Sequence, residues 1–341
     1  MHYFFTKLFA EASAIYDHGT YIHPDFQTII DHHEMLDQKL EFVFTSYMSL
    51  RSPKDRKIVQ NAYHYNNNIE KVCNNAVRPI KFSELPAAIQ DPLRDLYGSE
   101  GVLYQMLTAK KGNVSVKNRC GSLKGHFERF REENLVSLCP FCGMENLLTD
   151  YDDGKNEYDH YLSKRDYPFC SINFNNLAPV CDYCNKAGNK GQKDIPFQPN
   201  TNPQIQDELY YPYTTSFPNH VIFLTINAPT INLSDINGWT LSIDCIPATN
   251  GRKKERWLEI YNIENRYKSK IVKDSYLWKD RIVRKYSMRC KKNGDSFAKF
   301  KDDILDDSMD YLMYNNGILI KYFDEFVMND PNCEANLIGA I

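Results

Sequence analysis

Two short stretches, Cys139-Pro140-Phe141-Cys142-Gly143 and Cys181-Asp182-Tyr183-Cys184-Asn185, decide how this chain is read. Each sets two thiols on a tight turn, and two such knuckles supply the four sulfurs that suit a tetrahedral Zn2+. Four thiolates complete the coordination shell, so a zinc held by Cys139, Cys142, Cys181 and Cys184 is expected to be structural. A redox Cys-x-x-Cys is the competing reading for either pair alone, and the presence of two pairs weighs against it. The 38 residues between the knuckles are too many for a simple finger loop, so something folded is expected inside the clamp. The other cysteines, Cys73, Cys120, Cys170, Cys245, Cys290 and Cys333, read as plain buried or surface residues.

Inside the frame runs Tyr158-Asp159-His160-Tyr161-Leu162-Ser163-Lys164, then Asn175-Asn176-Leu177-Ala178-Pro179-Val180-Cys181. After the second knuckle comes Asn185-Lys186-Ala187-Gly188-Asn189-Lys190-Gly191. His160 titrates near neutral pH and is suited to deprotonating a water. Asp159 offers a hard oxygen ligand of the kind that Mg2+ prefers. Order, spacing and residue types resemble the HNH endonuclease family, in the subgroup with a four-cysteine zinc site. The resemblance covers roughly residues 136–195 and departs from the commonest pattern in one letter, Asn185 where many members have His. It implies a ββα-metal fold, in which the chain bends at Asp159-His160 so that both side chains reach one site. It also implies roles: His160 as general base, Asp159 and Asn185 as ligands to one catalytic Mg2+ or Mn2+, and Asn176 as a loop tie that holds His160. A ββα unit of about 45 residues is too small for a stable core of its own, which gives the zinc a mechanical role.

Outside the frame the fold class expected is α+β: mostly helical flanking modules around the central unit. The segments are 1–135 (helical), 136–200 (HNH domain) and 201–341 (α+β, with a basic helix and an acidic tail). In the first, Phe5, Leu8, Phe9, Ala12 and Ile15 recur at helical spacing, and further helices are expected through Met35–Tyr47, from Ser52-Pro53, and over Ser83–Leu96 with Ser83 as cap. His126–Glu133 reads as a charged helix leading into the first knuckle. In the last, Val221–Ile226 and Leu241–Ile243 read as strands with a turn at Asn237-Gly238. Tyr267, Ile271, Trp278, Ile282 and Tyr286 form an amphipathic stripe, read as core.

The net charge of −3 hides a segregation. Residues 252–301 carry 17 Lys or Arg against 6 Asp or Glu, and residues 302–341 carry one Lys against 9 acids. Such blocks either pair with each other or leave a basic face for a polyanion. Residues 139–200 are themselves acidic, with 6 Lys or Arg against 9 acids, so nucleic acid is expected on Arg281, Arg284, Lys285, Arg289, Lys291 and Lys292, with Lys164 and Lys190 nearer the centre. The acidic segment would cover that face when nucleic acid is absent. No run of 18 apolar residues and no secretory leader is visible, so no membrane and a cytoplasmic location are expected.

These readings converge on a divalent-metal-dependent endonuclease, acting on DNA by expectation. The family includes HNH subunits that accompany an ATPase in bacterial anti-phage systems such as Septu, so an ATPase partner is one expectation. A non-catalytic zinc-binding interaction subunit is the alternative.

Overall fold

Helix starts in the computed structural model follow local chemistry. The structure describes residues 1–31, 33–98, 101–108, 118, 121–134, 138–148, 158–186, 188–213, 221–233, 237–310 and 314–340. Ser52 accepts a hydrogen bond from the Asp55 amide at 3.3 Å and Pro53 fills the first turn of a helix, as a proline without an N–H allows. Chain contacts group into two units, and neither is one continuous stretch. The first comprises Met1–Glu133, Tyr158–Ala178 and Gln192–Tyr213; the second comprises Asn134–Glu157, Pro179–Gly191 and Thr214–Ile341. Residues 136–200 therefore contribute to both.

The first unit is built on α1 (His2–Phe9), α2 (Glu34–Met48), α3 (Pro53–Asn66) and α4 (Ala87–Tyr97), with α5 (Leu123–Asn134) following. Phe4, Phe5, Leu8, Tyr21, Leu40, Val43, Phe44, Tyr47, Val59, Tyr63, Leu93, Leu96 and Tyr97 form one buried core. The helical stripe expected to continue to Ile15 stops at Phe9. Glu11 adopts a left-handed φ of 50°, and the Glu11 and Ala12 amides turn back onto Leu8 and Lys7, a helix-ending geometry that leaves Ile15 at the surface. Ser83 does not cap a helix either. It lies in the 3-10 turn Phe82–Glu84, because Pro86 disfavours the helical region for Leu85, and α4 begins after the proline. The strands β1 (Tyr158–His160) and β2 (Leu177–Pro179) pair as a two-stranded sheet.

The second unit holds α6 (Asp182–Asn185), β3 (Val221–Asn227), β4 (Thr240–Ile246), α7 (Gly251–Tyr261), α8 (Ile263–Tyr286), α9 (Phe297–Asp310) and α10 (Gly317–Met328). β3 and β4 are antiparallel, with Leu224 opposite Ile243, and β4 alternates strictly: Leu241, Ile243 and Cys245 are buried while their neighbours are exposed. That alternation is the mark of a sheet covered on one face; α7 and α8 lie against β4, and α10 lies against β3. The stripe Tyr267, Ile271, Trp278, Ile282 and Tyr286 of α8 is buried, as a core-facing helix edge should be. Among the described residues no helix is long and apolar enough to cross a membrane.

Candidate functional site

The four knuckle cysteines converge. Their sulfurs lie within 4.8 Å of one another, and all four residues are buried. Cys139–Cys184 and Cys142–Cys181 each stand 3.9 Å apart, sulfur to sulfur. A Zn–S bond near 2.3 Å implies tetrahedral edges of about 3.8 Å, so the spacing fits one zinc and is far too long for disulfides. Without a cation, four thiols in this space do not ionise together: burial pushes the Cys139 thiol up, while contact with Cys139 draws Cys142 and Cys181 down. A divalent soft-tolerant ion resolves that conflict by stabilising every thiolate at once. Among the described residues no second group of three or more His, Cys, Asp or Glu side chains converges in this way.

Local sequence explains each knuckle. In the first, Cys139 N–H donates to Glu145 O at 2.8 Å and Gly143 N–H to Cys139 O at 2.9 Å. Gly143 takes a φ of 61°, which only a residue without Cβ adopts without strain. Two helices fasten this turn from behind. Trp257 Nε1 of α7 donates to Phe141 O at 2.6 Å, Tyr267 of α8 donates its hydroxyl to Cys142 O at 2.8 Å, and the Phe141 and Tyr261 rings stack with centroids 5.1 Å apart. In the second knuckle, Asn185 N–H returns to Cys181 O at 3.2 Å, forming the one-turn α6. Arg266 of α8 stands behind it, with Nη1 3.2 Å from Cys184 Sγ.

In the first unit, Asp159 and His160 close β1 and both are buried. His160 Nε2 lies 2.9 Å from the backbone oxygen of Ser171. A carbonyl only accepts, so Nε2 carries the proton and the basic lone pair of the neutral ring belongs to Nδ1. Ser171 is itself braced: its hydroxyl donates to Tyr97 O at the end of α4, at 3.1 Å. Asn176, fully buried, ties the same loop across. Its Oδ1 accepts from Leu162 N–H at 2.7 Å, and its Nδ2 donates to Leu162 O at 3.0 Å and to Cys170 O at 3.2 Å. Phe169, in the loop between the strands, sits in the aromatic core of the helices, edge-on to Phe5 at 5.4 Å and to Tyr63 at 5.6 Å. The loop that carries the Ser171 brace is thus anchored at both ends and at its middle.

The sequence-derived residues divide between the two units. Asp159, His160, Asn176 and Lys164 belong to the first unit; Asn185, Lys190 and the four cysteines belong to the second. Lys164 is half-buried and Lys190 is buried. In the basic segment, Arg281 grips the fully buried Asp324, with Nη2 2.7 Å from Oδ2; Lys285 pairs with Asp307 at 2.7 Å; Arg289 pairs with Asp295 and Asp303. Arg284, Lys291 and Lys292 are exposed. Sequence reasoning missed the residues that support the site: Ser171, Phe169, Trp257, Arg266, and His126, whose Nδ1 lies 3.1 Å from the Tyr158 hydroxyl. One signal for Arg266 was present. It falls three residues after Ile263 and beside Tyr267, on the buried stripe of α8, where a cation needs a partner. Comparison with protein-family models, with curated proteins and with solved structures finds no match.

Proposed function

We propose that the protein is a divalent-metal-dependent HNH-type endonuclease that hydrolyses phosphodiester bonds, with DNA as the expected substrate. The observation that carries this reading is the fixed imidazole of His160, oriented by Ser171 O in a loop tied by Asn176. It stands within the Asp-His…Asn…Cys-x-x-Cys-Asn order described above, in a chain whose four cysteines form a zinc-sized cluster. His160 Nδ1 takes the proton from the attacking water. Asp159 and Asn185 would hold Mg2+ or Mn2+. Their assignment rests on their places in the motif and on their hard oxygen donors, which suit such ions. When bound, that ion would neutralise charge at the phosphate and the leaving oxygen. The four-thiolate centre takes no part in bond cleavage and fixes the second knuckle, from which Asn185 projects.

Residues 136–200 carry the proposed chemistry, and the flanking segments 1–135 and 201–341 support it and bind substrate. Exposed cations around Arg284, Lys291 and Lys292 are the proposed phosphate contacts. A partner such as an ATPase subunit belongs to the same proposal, on the resemblance of the central motif to HNH subunits that accompany one. The internal pairing of Arg281, Lys285 and Arg289 favours the second reading, a non-catalytic zinc-binding interaction subunit. Incubating the purified protein and its His160→Ala variant with supercoiled DNA, single-stranded DNA and RNA, in Mg2+, Mn2+ or EDTA, separates the two. Cleavage that needs metal and His160 supports the nuclease; no cleavage on any substrate, alone or with the product of a neighbouring ATPase gene, supports the interaction subunit.

A further inference from the structure

A zinc bound by four thiolates carries two net negative charges. The centre is dry, since Cys139, Cys142 and Cys184 are each at most 1% exposed. Burying such a charge without compensation is costly. Arg266 brings a permanent cation to it. Arg266 is 8% exposed and places Nη1 3.2 Å from Cys184 Sγ. Its guanidinium lies over the Tyr183 ring, 4.4 Å from the centroid, and Nη1 also faces Tyr261 O at 3.4 Å. Tyr183 and Cys184 both belong to α6, which ends at Asn185. Arg266 itself is held in the first turns of α8, directly before Tyr267, whose hydroxyl fixes the other knuckle through Cys142 O.

We propose that Arg266 is a positioning residue of the zinc centre: it donates a charged hydrogen bond to the Cys184 thiolate, offsets the negative charge of the cluster, and locks α6 through the Tyr183 stack. Three consequences follow from the geometry. The hydrogen bond lowers the electron density on one sulfur, which slows protonation of that sulfur and so slows zinc loss. The planar contact with Tyr183 needs a guanidinium and is only partly replaced by an ammonium. Because the same short helix presents Asn185, loosening it disturbs that side chain as well. The proposal rests on the four-cysteine centre and not on the nuclease reading, so its test requires no cleavage assay.

The test uses full-length protein with Arg266→Lys, Arg266→Gln and Arg266→Met. Zinc release is followed with a colorimetric chelator, and the Co2+-loaded protein is followed by its sulfur-to-metal charge-transfer band. Outer-shell partners of metal ligands are typically worth 10- to 100-fold in metal affinity, so release from the Gln and Met variants should be about tenfold faster or more, with Lys between them and wild type. The charge-transfer band should move to lower energy in Gln and Met, because a thiolate that loses a charged donor gives up electron density more easily. A general loss of packing would speed release without moving that band. Zinc release and band position both unchanged in Arg266→Met would overturn the proposal. If Arg266→Met does not fold, the comparison of Lys with Gln decides: equal release rates and equal band positions for these two would equally overturn it.

Discussion

His160 Nε2 and the backbone oxygen of Ser171 stand 2.9 Å apart, and the Ser171 hydroxyl in turn reaches Tyr97 O at 3.1 Å. The imidazole is therefore oriented by main chain, through a contact that no side-chain substitution at Ser171 removes. Replacing His160 by Ala deletes the proposed base and leaves the loop ties of Asn176 intact. Removal of a general base typically lowers rates by about 10²–10⁴, and that drop is expected for His160→Ala with zinc content near wild type and the fold retained, at a stability cost of about 1–3 kcal/mol for the buried Ser171 carbonyl that loses its donor. Cleavage at the wild-type rate would assign the base elsewhere.

The Asn176 side chain makes four polar contacts to Leu162 and Cys170 while fully buried. Asn176→Ala leaves the Leu162 amide and carbonyl without these partners in a dry place. An unsatisfied buried group is worth about 1–3 kcal/mol, so a loss of at least that order is expected in denaturant unfolding. Asn176→Asp should also destabilise, because a carboxylate cannot donate to the two carbonyls. A variant with unchanged stability would mean the loop is held by Phe169 and Ser171 alone.

Part of this was legible in one sequence and part was not. Cys139, Cys142, Cys181 and Cys184 announce a shared site because thiol pairs at that spacing have few other uses, and the apolar stripe of α8 announces a buried face through its period. Backbone partners leave no such trace: nothing in the letters says that Ser171 O meets His160, since any residue there carries a carbonyl. Long-range anchors are equally silent. Phe169 reads as one more aromatic until the helices close around it, and Arg266 is one of 17 basic residues in a charged block although its place beside the stripe puts it inside. The early stop of α1 escaped for a local reason, the left-handed Glu11, which a hydrophobic period does not register.

A zinc in the four-cysteine cluster and the proposed catalytic ion should separate experimentally. Cys139→Ser removes one thiolate from the cluster, and structural zinc contributes directly to folding free energy. Reduced zinc content and a lower unfolding temperature are expected, measured by metal analysis and calorimetry. Asp159→Ala and Asn185→Ala should keep zinc and instead raise the Mg2+ concentration needed for cleavage, while Asn185→His should retain activity. Full activity of Asn185→Ala at limiting Mg2+ would remove Asn185 from the metal site.

Asp324 offers a pH signature in the second unit. Burial pushes its carboxyl up to about 6, with the Arg281 guanidinium and Lys285 opposing that shift and Asp307 adding to it. Since the folded-state value lies above the ordinary carboxylate range, the folded protein holds this proton more tightly than the unfolded chain. The group's contribution to stability is thus greatest below about pH 4 and declines as pH rises through about 6. Urea titrations of wild type and Asp324→Asn across pH 4–7 should differ by a term with that slope. A difference independent of pH would show that Asp324 titrates in its ordinary range.

The cations that would meet a polyanion are those the fold leaves exposed. Arg281, Lys285 and Arg289 are already engaged by Asp324, Asp307 and Asp303, whereas Arg284, Lys291 and Lys292 are exposed along the same helix and its continuation through Ser287–Lys292. Arg284 meets Asp280 at 2.9 Å, but with both side chains largely in solvent the pair is weak. Affinity for nucleic acid comes mainly from releasing counterions, about 0.9 in the log–log salt slope for each phosphate contact on duplex DNA. Reversing Arg284, Lys291 and Lys292 to Glu should therefore weaken DNA binding at low salt and reduce that slope by about 2–3, with zinc content unchanged. The paired cations make the opposite case. Asp303→Asn with Asp307→Asn releases Arg289 and Lys285 from two of their acidic partners, so DNA affinity and the salt slope should both rise if the acidic segment acts as a cover. Binding that ignores the first set of changes places the polyanion elsewhere. Binding that responds to the first set and ignores the second makes the acidic partners structural rather than inhibitory, because the cations they hold would then have no access to phosphate even when released.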